Sequence, residues 1–172
     1  MKKLLVVLAV LLIPHSVFAT AQISDQIVYN GEKHSLFSEP LERYFGEKHR
    51  RPDELFVFKC TACWRGYVAS WEIKENHLYL TKIVEGTCGA DAKEIEIDRI
   101  FPGQKAPVKA VWYSGMLRIP QGKLLRYEHM GYGSTFEKEL LLTIQDGKLI
   151  DEKMIDNTLL ERLPVPLPPE LK

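Results

Sequence analysis

The sequence has little that would mark a familiar class of protein. It contains only three cysteines, and its 23 basic residues are balanced by 23 acidic residues, so the formal net charge is +0. Because there is no excess of positive charge and no basic stripe, nucleic acid is not expected as a partner. No apolar run reaches the length that spans a bilayer, which excludes a multi-span membrane protein. A chain of 172 residues fits a single globular domain.

The short motifs that accompany common catalytic sites are also missing. There is no Gly-x-Ser-x-Gly nucleophile turn, no His-Glu-x-x-His, no P-loop and no dinucleotide-binding fingerprint. The histidines are scattered and no two of them have metal-binding spacing, so we expect no metal site and no cofactor. The carboxylates alternate along stretches that resemble strands, which is typical of a solvated face. These absences favour a protein that is not an enzyme.

The N-terminus has the pattern of a secretory signal peptide. Two lysines precede an unbroken apolar run over residues 4–13, which is too short to cross a bilayer, and a proline follows it. Small residues then provide cleavage sites after Ala19 or Ala21. We therefore predict that residues 1–21 are removed on export to the periplasm or out of the cell, leaving no membrane span. The alternative is an uncleaved membrane anchor.

Turn motifs between alternating stretches predict a single β domain over residues 22–160. Asn-Gly at 30–31 separates the stretches 25–29 and 32–36, and Asp-Gly at 146–147 separates the stretches 135–145 and 148–156. Both dipeptides predict β-hairpins, because type I′ turns need positive φ at both central positions. We expect a mainly β fold, either an antiparallel sandwich or a partly open barrel. Residues 161–172 are rich in proline, which predicts an extended tail that either straps the domain or docks into a groove.

Local patterns predict several shorter elements. One short N-terminal helix is expected over residues 38–45, because Ser38 can cap it and Gly46 can end it. A Leu-rich helix over residues 136–145 competes with a strand there. Short strands are expected over residues 55–58, 94–97, 108–113, 116–119 and 123–127, with a tight turn at 114–115.

The most informative hairpin is expected over residues 66–85, with a central two-residue turn. Such a turn pairs positions whose numbers sum to 151, so Trp71 lies opposite Leu80 and Tyr67 lies opposite Val84. One face of the hairpin is then largely apolar and the other face is mixed. This agreement between the turn and the hydrophobic pattern supports the register.

The three cysteines permit one internal disulfide in an oxidising compartment. If the hairpin ladder continues to its base, Cys63 lies opposite Cys88, and directly opposed strand positions approach disulfide distance. We therefore favour a bond between Cys63 and Cys88, with Cys60–Cys88 second and Cys60–Cys63 third. The Cys60-Thr-Ala-Cys63 spacing is also that of thiol-redox sites, although no helical pattern follows it.

Two aromatic clusters contain the candidate binding residues. Trp64 and Arg65 belong to the first cluster. His129 and Tyr132 belong to the second cluster, residues 127–134, in which Tyr132 lies between two glycines and is expected to be exposed. Aromatic rings together with arginine and flanking glycines fit a surface that binds protein or sugar. The alternative is that the aromatic residues are core residues of the sheet and that Arg65 packs over one of their rings.

Three segments of the chain resemble a family of uncharacterised exported bacterial proteins. They are residues 27–37, 63–73 and 129–134, and the second, Cys-Trp-Arg-Gly-Tyr-Val-Ala-Ser-Trp-Glu-Ile, is the most specific. The resemblance carries no activity and no catalytic residue. It implies that the three segments belong to one domain.

Together these patterns lead to an exported, non-enzymatic binding protein as the expected function. Its partner would be another protein or a cell-wall glycan, and one concrete form is a periplasmic immunity or inhibitor protein. Two alternatives remain. The first is a glycan-binding module of the cell wall, and the second is a thiol-redox or hydrolytic enzyme.

Overall fold

The protein is mainly β, and its strands form one sheet. The computed structural model describes residues 21–129 and 131–158. The strands are β1 (Asp25–Tyr29), β2 (Glu32–Leu36), β3 (Tyr67–Lys74), β4 (His77–Glu85), β5 (Val108–Lys109), β6 (Gly115–Arg126), β7 (Thr135–Gln145) and β8 (Lys148–Asp156). Residues 1–20 of the predicted signal peptide and the predicted tail over residues 161–172 lie outside the described residues. In the part of the chain that is described, no helix is long and apolar enough to cross a bilayer.

The sheet is open and mixed rather than purely antiparallel. Its strand order is β2-β1-β3-β4-β8-β7-β6, and β5 pairs with β4 beside this path. All neighbouring strands are antiparallel except β1 and β3, which run parallel with Ile27 opposite Trp71. Parallel neighbours need a long crossover connection. Here residues 37–66 connect β2 to β3 and bring β3 alongside β1. The predicted all-antiparallel arrangement is therefore wrong.

The predicted hairpins at Asn30-Gly31 and Asp146-Gly147 are confirmed. Asn30 and Gly31 have φ of 52° and 81°, and Asp146 and Gly147 have φ of 48° and 76°, as a type I′ turn requires. The strands on either side have the bounds that the pattern predicts. The competing helix over residues 136–145 is wrong, because this stretch is all of β7 except its first residue.

The predicted register of the third hairpin holds near its turn and then changes by one residue. Trp71 lies opposite Leu80, as predicted, but a bulge between Ser70 and Trp71 shifts the ladder. Tyr67 consequently pairs with Glu85 rather than with Val84. A bulge adds a residue to one strand, so every position beyond it is displaced from a register extrapolated from the turn.

Several of the shorter predicted elements are wrong. Residues 55–58 are not a strand, and residues 94–97 contribute only an isolated bridge between Val84 and Glu94. The turn at 114–115 joins no hairpin, because β5 pairs with β4 whereas β6 pairs with β7. The strands predicted at 116–119 and 123–127 are confirmed up to Arg126, but they are parts of one strand, β6, which is interrupted by bulges. Short apolar runs do not reveal their partners, which explains these errors.

The predicted short helix over residues 38–45 is replaced by a 3-10 turn at Pro40–Arg43, and no α-helix occurs in the described residues. Pro40 lies at its start, and the Ser38 hydroxyl does not cap it. Instead that hydroxyl accepts a hydrogen bond from the Arg118 amide at 3.0 Å. The predicted capping residue therefore connects the 3-10 turn to β6.

The sheet is strongly curved, and its inner face encloses the hydrophobic core. Its two end strands approach each other where the Phe37 amide, just after β2, donates to the Arg118 carbonyl of β6 at 2.8 Å. The largest fully buried side chains come from strands all along the sheet and include Ile27, Tyr67, Trp71, Leu78, Leu80, Ile83, Leu117, Ile119, Leu142 and Ile144. The core is therefore built mostly from the alternating inward positions that the sequence pattern predicts.

Candidate functional site

The two predicted aromatic clusters meet through Arg65 and Tyr132. The Arg65 guanidinium donates from Nη1 to the Tyr132 hydroxyl at 2.8 Å, although the two residues are 67 positions apart. Gln22 makes a second connection. Its side-chain Oε1 accepts from the backbone N–H of Trp64 at 3.1 Å, and its backbone N–H donates to the Gly131 carbonyl at 3.3 Å. The segment around Trp64 and the loop around Tyr132 are thus held together at one end of the sheet.

The centre of this junction is a buried carboxylate, Asp25, the first residue of β1. Asp25 is fully buried, and its Oδ1 accepts from Arg65 Nη2 at 2.8 Å and from the Ala69 amide at 2.9 Å. Its Oδ2 accepts from Trp71 Nε1 at 2.9 Å. Burial raises the pKa of Asp25 above its ordinary value, while Arg65 and the hydrogen bonds act in the opposite direction. Both carboxylate oxygens are therefore occupied inside the fold.

Arg65 is the other half of this buried pair. Besides Asp25 and Tyr132, it donates to the Ile23 carbonyl at 2.9 Å and to Glu39 Oε1 at 3.1 Å, and it lies over the Tyr67 ring at 5.4 Å. Burial opposes its charge, but Asp25 and its other neighbours raise the pKa of Arg65 above the ordinary value. With its side chain only 5% exposed, Arg65 positions the surrounding segments and does not present its guanidinium to solvent.

A second arginine, Arg118 on β6, supports the loop that carries Tyr132. It donates to the carbonyl of Tyr132 at 2.6 Å and to that of Ser134 at 2.8 Å, and it forms a two-point ion pair with Glu139 at 2.8 and 2.6 Å. The Tyr132 ring also stacks on Phe37 at 5.0 Å. Burial raises the pKa of the Tyr132 hydroxyl, which keeps it a neutral hydrogen-bond donor. Tyr132, predicted to be exposed, is therefore half-buried in this network.

Exposed aromatic residues lie in the two segments that this internal network joins. Trp64 is 72% exposed and Phe58 is 57% exposed, and their ring centroids lie 6.2 Å apart in an edge-to-face arrangement. On the neighbouring loop, the exposed Tyr127 and His129 rings are 4.7 Å apart. We refer to these four residues as the aromatic end. The sequence prediction named Trp64 and His129 as binding residues and placed Tyr127 in the second cluster, but it missed Phe58.

A disulfide between Cys60 and Cys88 lies next to the aromatic end, so the preferred Cys63–Cys88 pairing is wrong. The Cα atoms of Cys60 and Cys88 are 5.4 Å apart. Two features invalidate the extrapolated ladder. The bulge shifts the register by one, and the chain leaves the sheet at Gly66, where φ is 73°. Cys63 then lies in a turn, with its amide bonded to the Cys60 carbonyl at 2.9 Å.

Cys63 is a buried free thiol within the core of the site. Its sulfur contacts the Tyr67 carbonyl at 3.1 Å, and burial raises the pKa of the thiol. A Cβ on Gly86 would lie 2.5 Å from this sulfur, so only glycine leaves room for it. Because Cys60 is bonded to Cys88, Cys63 is the one remaining free thiol of the predicted redox motif. A thiol that is buried and has a raised pKa lacks the properties of a reactive cysteine.

We predict that Cys63 in the native protein resists alkylation by iodoacetamide at neutral pH. Because the thiol is buried, its reaction should be at least about a hundredfold slower than in the urea-unfolded protein without reductant. Mass spectrometry would locate the label, which should appear on Cys63 alone after unfolding. Labelling of Cys60 or Cys88 in unreduced protein would contradict the observed pairing.

The described residues contain no group of three or more metal-ligating side chains. Two surface clefts occur away from the aromatic end. One of about 490 Å³ lies between β2 and β6 and includes His34, Phe37 and Phe136, and one of about 260 Å³ includes Glu72 and Tyr79. Neither cleft contains the buried pair or an exposed residue of the aromatic end.

No protein-family model matches the chain, no curated protein matches it, and no solved structure matches it.

Two residues of the internal network were also missed by sequence reasoning. Asp25 lies on the same face of β1 as Ile27 and Tyr29, which are both buried. The alternation of the strand therefore already indicates that its carboxylate points inward. Arg118 has no comparable indication, because it occupies the half-exposed face of β6 and its partners come from a distant loop.

Proposed function

We propose that the protein is an exported binding protein whose aromatic end docks on a partner protein. The observation that carries this proposal is the exposure of Trp64 on a backbone that cannot easily adapt. Its amide is held by Gln22, the next residue is the buried Arg65, and the Cys60–Cys88 disulfide lies four residues before it. A large apolar ring that is ordered before binding loses little conformational entropy on association.

The same geometry favours protein over glycan as the partner. Phe58 and Trp64 meet edge to face with an interplanar angle of 64°, so their rings do not form one flat platform for stacked sugars. Val57, the neighbour of Phe58 in the chain, is 47% exposed and adds apolar surface next to these rings. Exposed tryptophan within an apolar surface is typical of the residues that dominate protein–protein affinity. An inhibitor of the periplasmic immunity type would use the aromatic end to occlude a site on its partner.

Trp64→Ala should abolish most of the affinity for the partner while leaving the fold intact. The residue is a surface side chain, and truncation of an interface hot spot weakens binding by about 30-fold or more. The measurement is retention of periplasmic proteins on the immobilised wild-type protein and variants, followed by titration of the retained protein. The matched control is Val111→Ala, which removes an apolar side chain that is 58% exposed elsewhere on the molecule.

Three outcomes distinguish the candidate functions. A protein retained by the wild type and by Val111→Ala but lost with Trp64→Ala supports the proposal. Co-sedimentation with isolated peptidoglycan that disappears in Trp64→Ala would indicate a glycan-binding module instead. Equal binding by all three proteins would show that the aromatic end is not the docking surface.

A further inference from the structure

The two end strands of the sheet, β2 and β6, meet at one point and then separate. The backbone N–H of Phe37 donates to the Arg118 carbonyl at 2.8 Å, so the backbone of Arg118 faces β2. Two positions further along β6, Pro120 faces the same way but has no N–H to donate. The cleft of about 490 Å³ opens here, lined by residues 32–35 of β2 and residues 120–122 of β6. In the described part of the chain, the sheet is therefore left open along this stretch.

On the β2 side of this cleft, the backbone groups of Lys33 and Ser35 point toward β6. β2 pairs with β1 over residues 32–36 without a shift in register. Hydrogen-bonding directions alternate along an antiparallel strand, and the Phe37 N–H already points to β6, so Lys33 and Ser35 point the same way. Among the described residues, their two N–H and two C=O groups have no backbone partner. Such an edge is a template for a further strand.

The chain leaves β8 close to this cleft. The side chain of Asn157 donates to the Phe136 carbonyl at 2.9 Å, and Phe136 is itself one of the residues that line the cleft. Phe136 lies opposite Leu124, which is farther along β6 than Pro120. The sequence that follows Thr158 therefore starts at the end of the cleft that lies away from the contact between β2 and β6.

Residues 159–162 are long enough to carry the chain from β8 to the cleft. Neighbouring strands lie about 4.8 Å apart, so the path across β7 and β6 covers about 14 Å. The five steps from Thr158 to Leu163 span about 17 Å when the chain is extended. A chain that enters at this end passes Glu32 first and then moves toward Phe37, so it runs in the same direction as β2.

We propose that residues 163–167, Leu-Pro-Val-Pro-Leu, fill the cleft as a strand parallel to β2, with Val165 level with His34. In a parallel pair the slanted hydrogen bonds of one residue go to the two neighbours of the position that it faces. Val165 therefore donates its N–H to the Lys33 carbonyl and accepts from the Ser35 N–H. One residue of the segment thus satisfies one group of each of the two outward residues of β2.

The alternating prolines of the segment match a single strand edge. The Leu163 carbonyl accepts from the Lys33 N–H, and the Leu167 N–H donates to the Ser35 carbonyl, which uses the two remaining groups of the β2 edge. Successive residues of an extended chain direct their backbone groups to opposite sides. The prolines between Leu163, Val165 and Leu167 therefore face away from β2, where a strand at the edge of a sheet tolerates the missing N–H.

The side chains of the segment also fit the two faces of the sheet. Leu36 lies opposite Asp25 of β1, and both are fully buried, so Leu36 and His34 belong to the inner face of β2. Val165 and Leu167 lie level with these two residues and place their side chains on the same face. The prolines lie on the outer face. The pairing therefore removes aliphatic surface from water in addition to satisfying the strand edge.

The test is amide exchange, measured by NMR on the exported protein and on variants of this segment. The N–H groups of Lys33 and Ser35 should exchange at least about tenfold more slowly in the wild type than in Val165→Pro, which removes the central donor. The N–H of Ile27, which lies between β1 and β2, should exchange slowly in both and so verify that the variant is folded. A nuclear Overhauser contact between the methyl groups of Val165 and the ring of His34 should occur in the wild type.

Two variants serve as matched controls. Leu171→Pro adds a proline to the same part of the chain but outside the paired stretch, and Pro166→Ala changes a residue that faces away from β2. Neither should change the exchange of Lys33 or Ser35. Equal exchange of these two groups in the wild type and in Val165→Pro would overturn the proposal, because the cleft would then hold no strand from this segment.

A concentration series identifies the chain that supplies the strand. Slow exchange of Lys33 and Ser35 should persist on dilution, because the segment belongs to the same molecule. Loss of this protection on dilution, together with a dimer in sedimentation velocity, would overturn the proposal in favour of the same segment from a second copy. None of these measurements involves a partner protein, so their outcome is independent of the docking proposed for the aromatic end.

Discussion

Asp25→Ala is expected to lower the free energy of unfolding by about 3–5 kcal/mol, because it leaves a buried guanidinium without its main counter-charge. Asp25 is fully buried and accepts hydrogen bonds from Arg65, Ala69 and Trp71. Removal of the carboxylate strands three donors in the interior at the same time. A loss of this size is a large fraction of the stability of a domain. Urea denaturation followed by circular dichroism would measure it.

Glu39→Ala is the matched control, because Glu39 is a second carboxylate on the same arginine. It accepts from Arg65 at 3.1 Å, but its side chain is 34% exposed. Water and salt screen a partly exposed pair, so this variant should lose no more than about 1 kcal/mol. Equal losses in the two variants would show that burial of Asp25 does not decide the strength of the network. An Asp25→Ala variant as stable as the wild type would refute its structural role outright.

Replacing both Cys60 and Cys88 by alanine is expected to lower the free energy of unfolding by about 3–4 kcal/mol, from the entropy of the unfolded chain that the crosslink removes. The bond joins residues separated by 28 positions. It also connects the segment that carries Phe58 and Trp64 to the chain that follows β4. The double variant should therefore lose affinity for the partner in addition to stability. Denaturation with and without dithiothreitol would measure the first effect.

Cys63→Ala provides the control for this experiment. Dithiothreitol should destabilise the wild type and Cys63→Ala by the same amount and should have no effect on the variant without Cys60 and Cys88. If reductant instead left Cys63→Ala unchanged, Cys63 would be part of the bridge and the observed pairing would be incorrect. The comparison uses the difference made by reductant, so any packing defect from the loss of the buried thiol cancels.

Local sequence patterns were sufficient where turn and strand chemistry involve only neighbouring residues. The turns at Asn30-Gly31 and Asp146-Gly147 need backbone conformations that Asn, Asp and Gly tolerate, and both hairpins form with the expected bounds. The register of the β3–β4 hairpin is correct at Trp71, close to its turn. It fails from Ser70 to the base of the hairpin, because a single bulge is invisible in the sequence and displaces every pair on that side of it.

The candidate site was also only partly predictable from the sequence. Strand alternation places Asp25 inward together with Ile27 and Tyr29, so its burial follows from sequence once the strand is known. The bond between Arg65 and Tyr132 has no local indication, because it joins segments 67 positions apart. The sequence could not decide whether Trp64 is exposed either, since an aromatic residue next to a strand fits the core as well as the surface.

The sequence by itself determined the mainly β character, the positions of three hairpins and the inward alternation that builds the core, since each depends on interactions within a few residues. Tertiary structure alone decided the parallel pairing of β1 with β3, the Cys60–Cys88 disulfide and the joining of two aromatic clusters by a buried Arg65–Asp25 pair. These features depend on how a long connection returns to the sheet. The course of such a connection is set by packing among residues distant in the chain, which local patterns do not record.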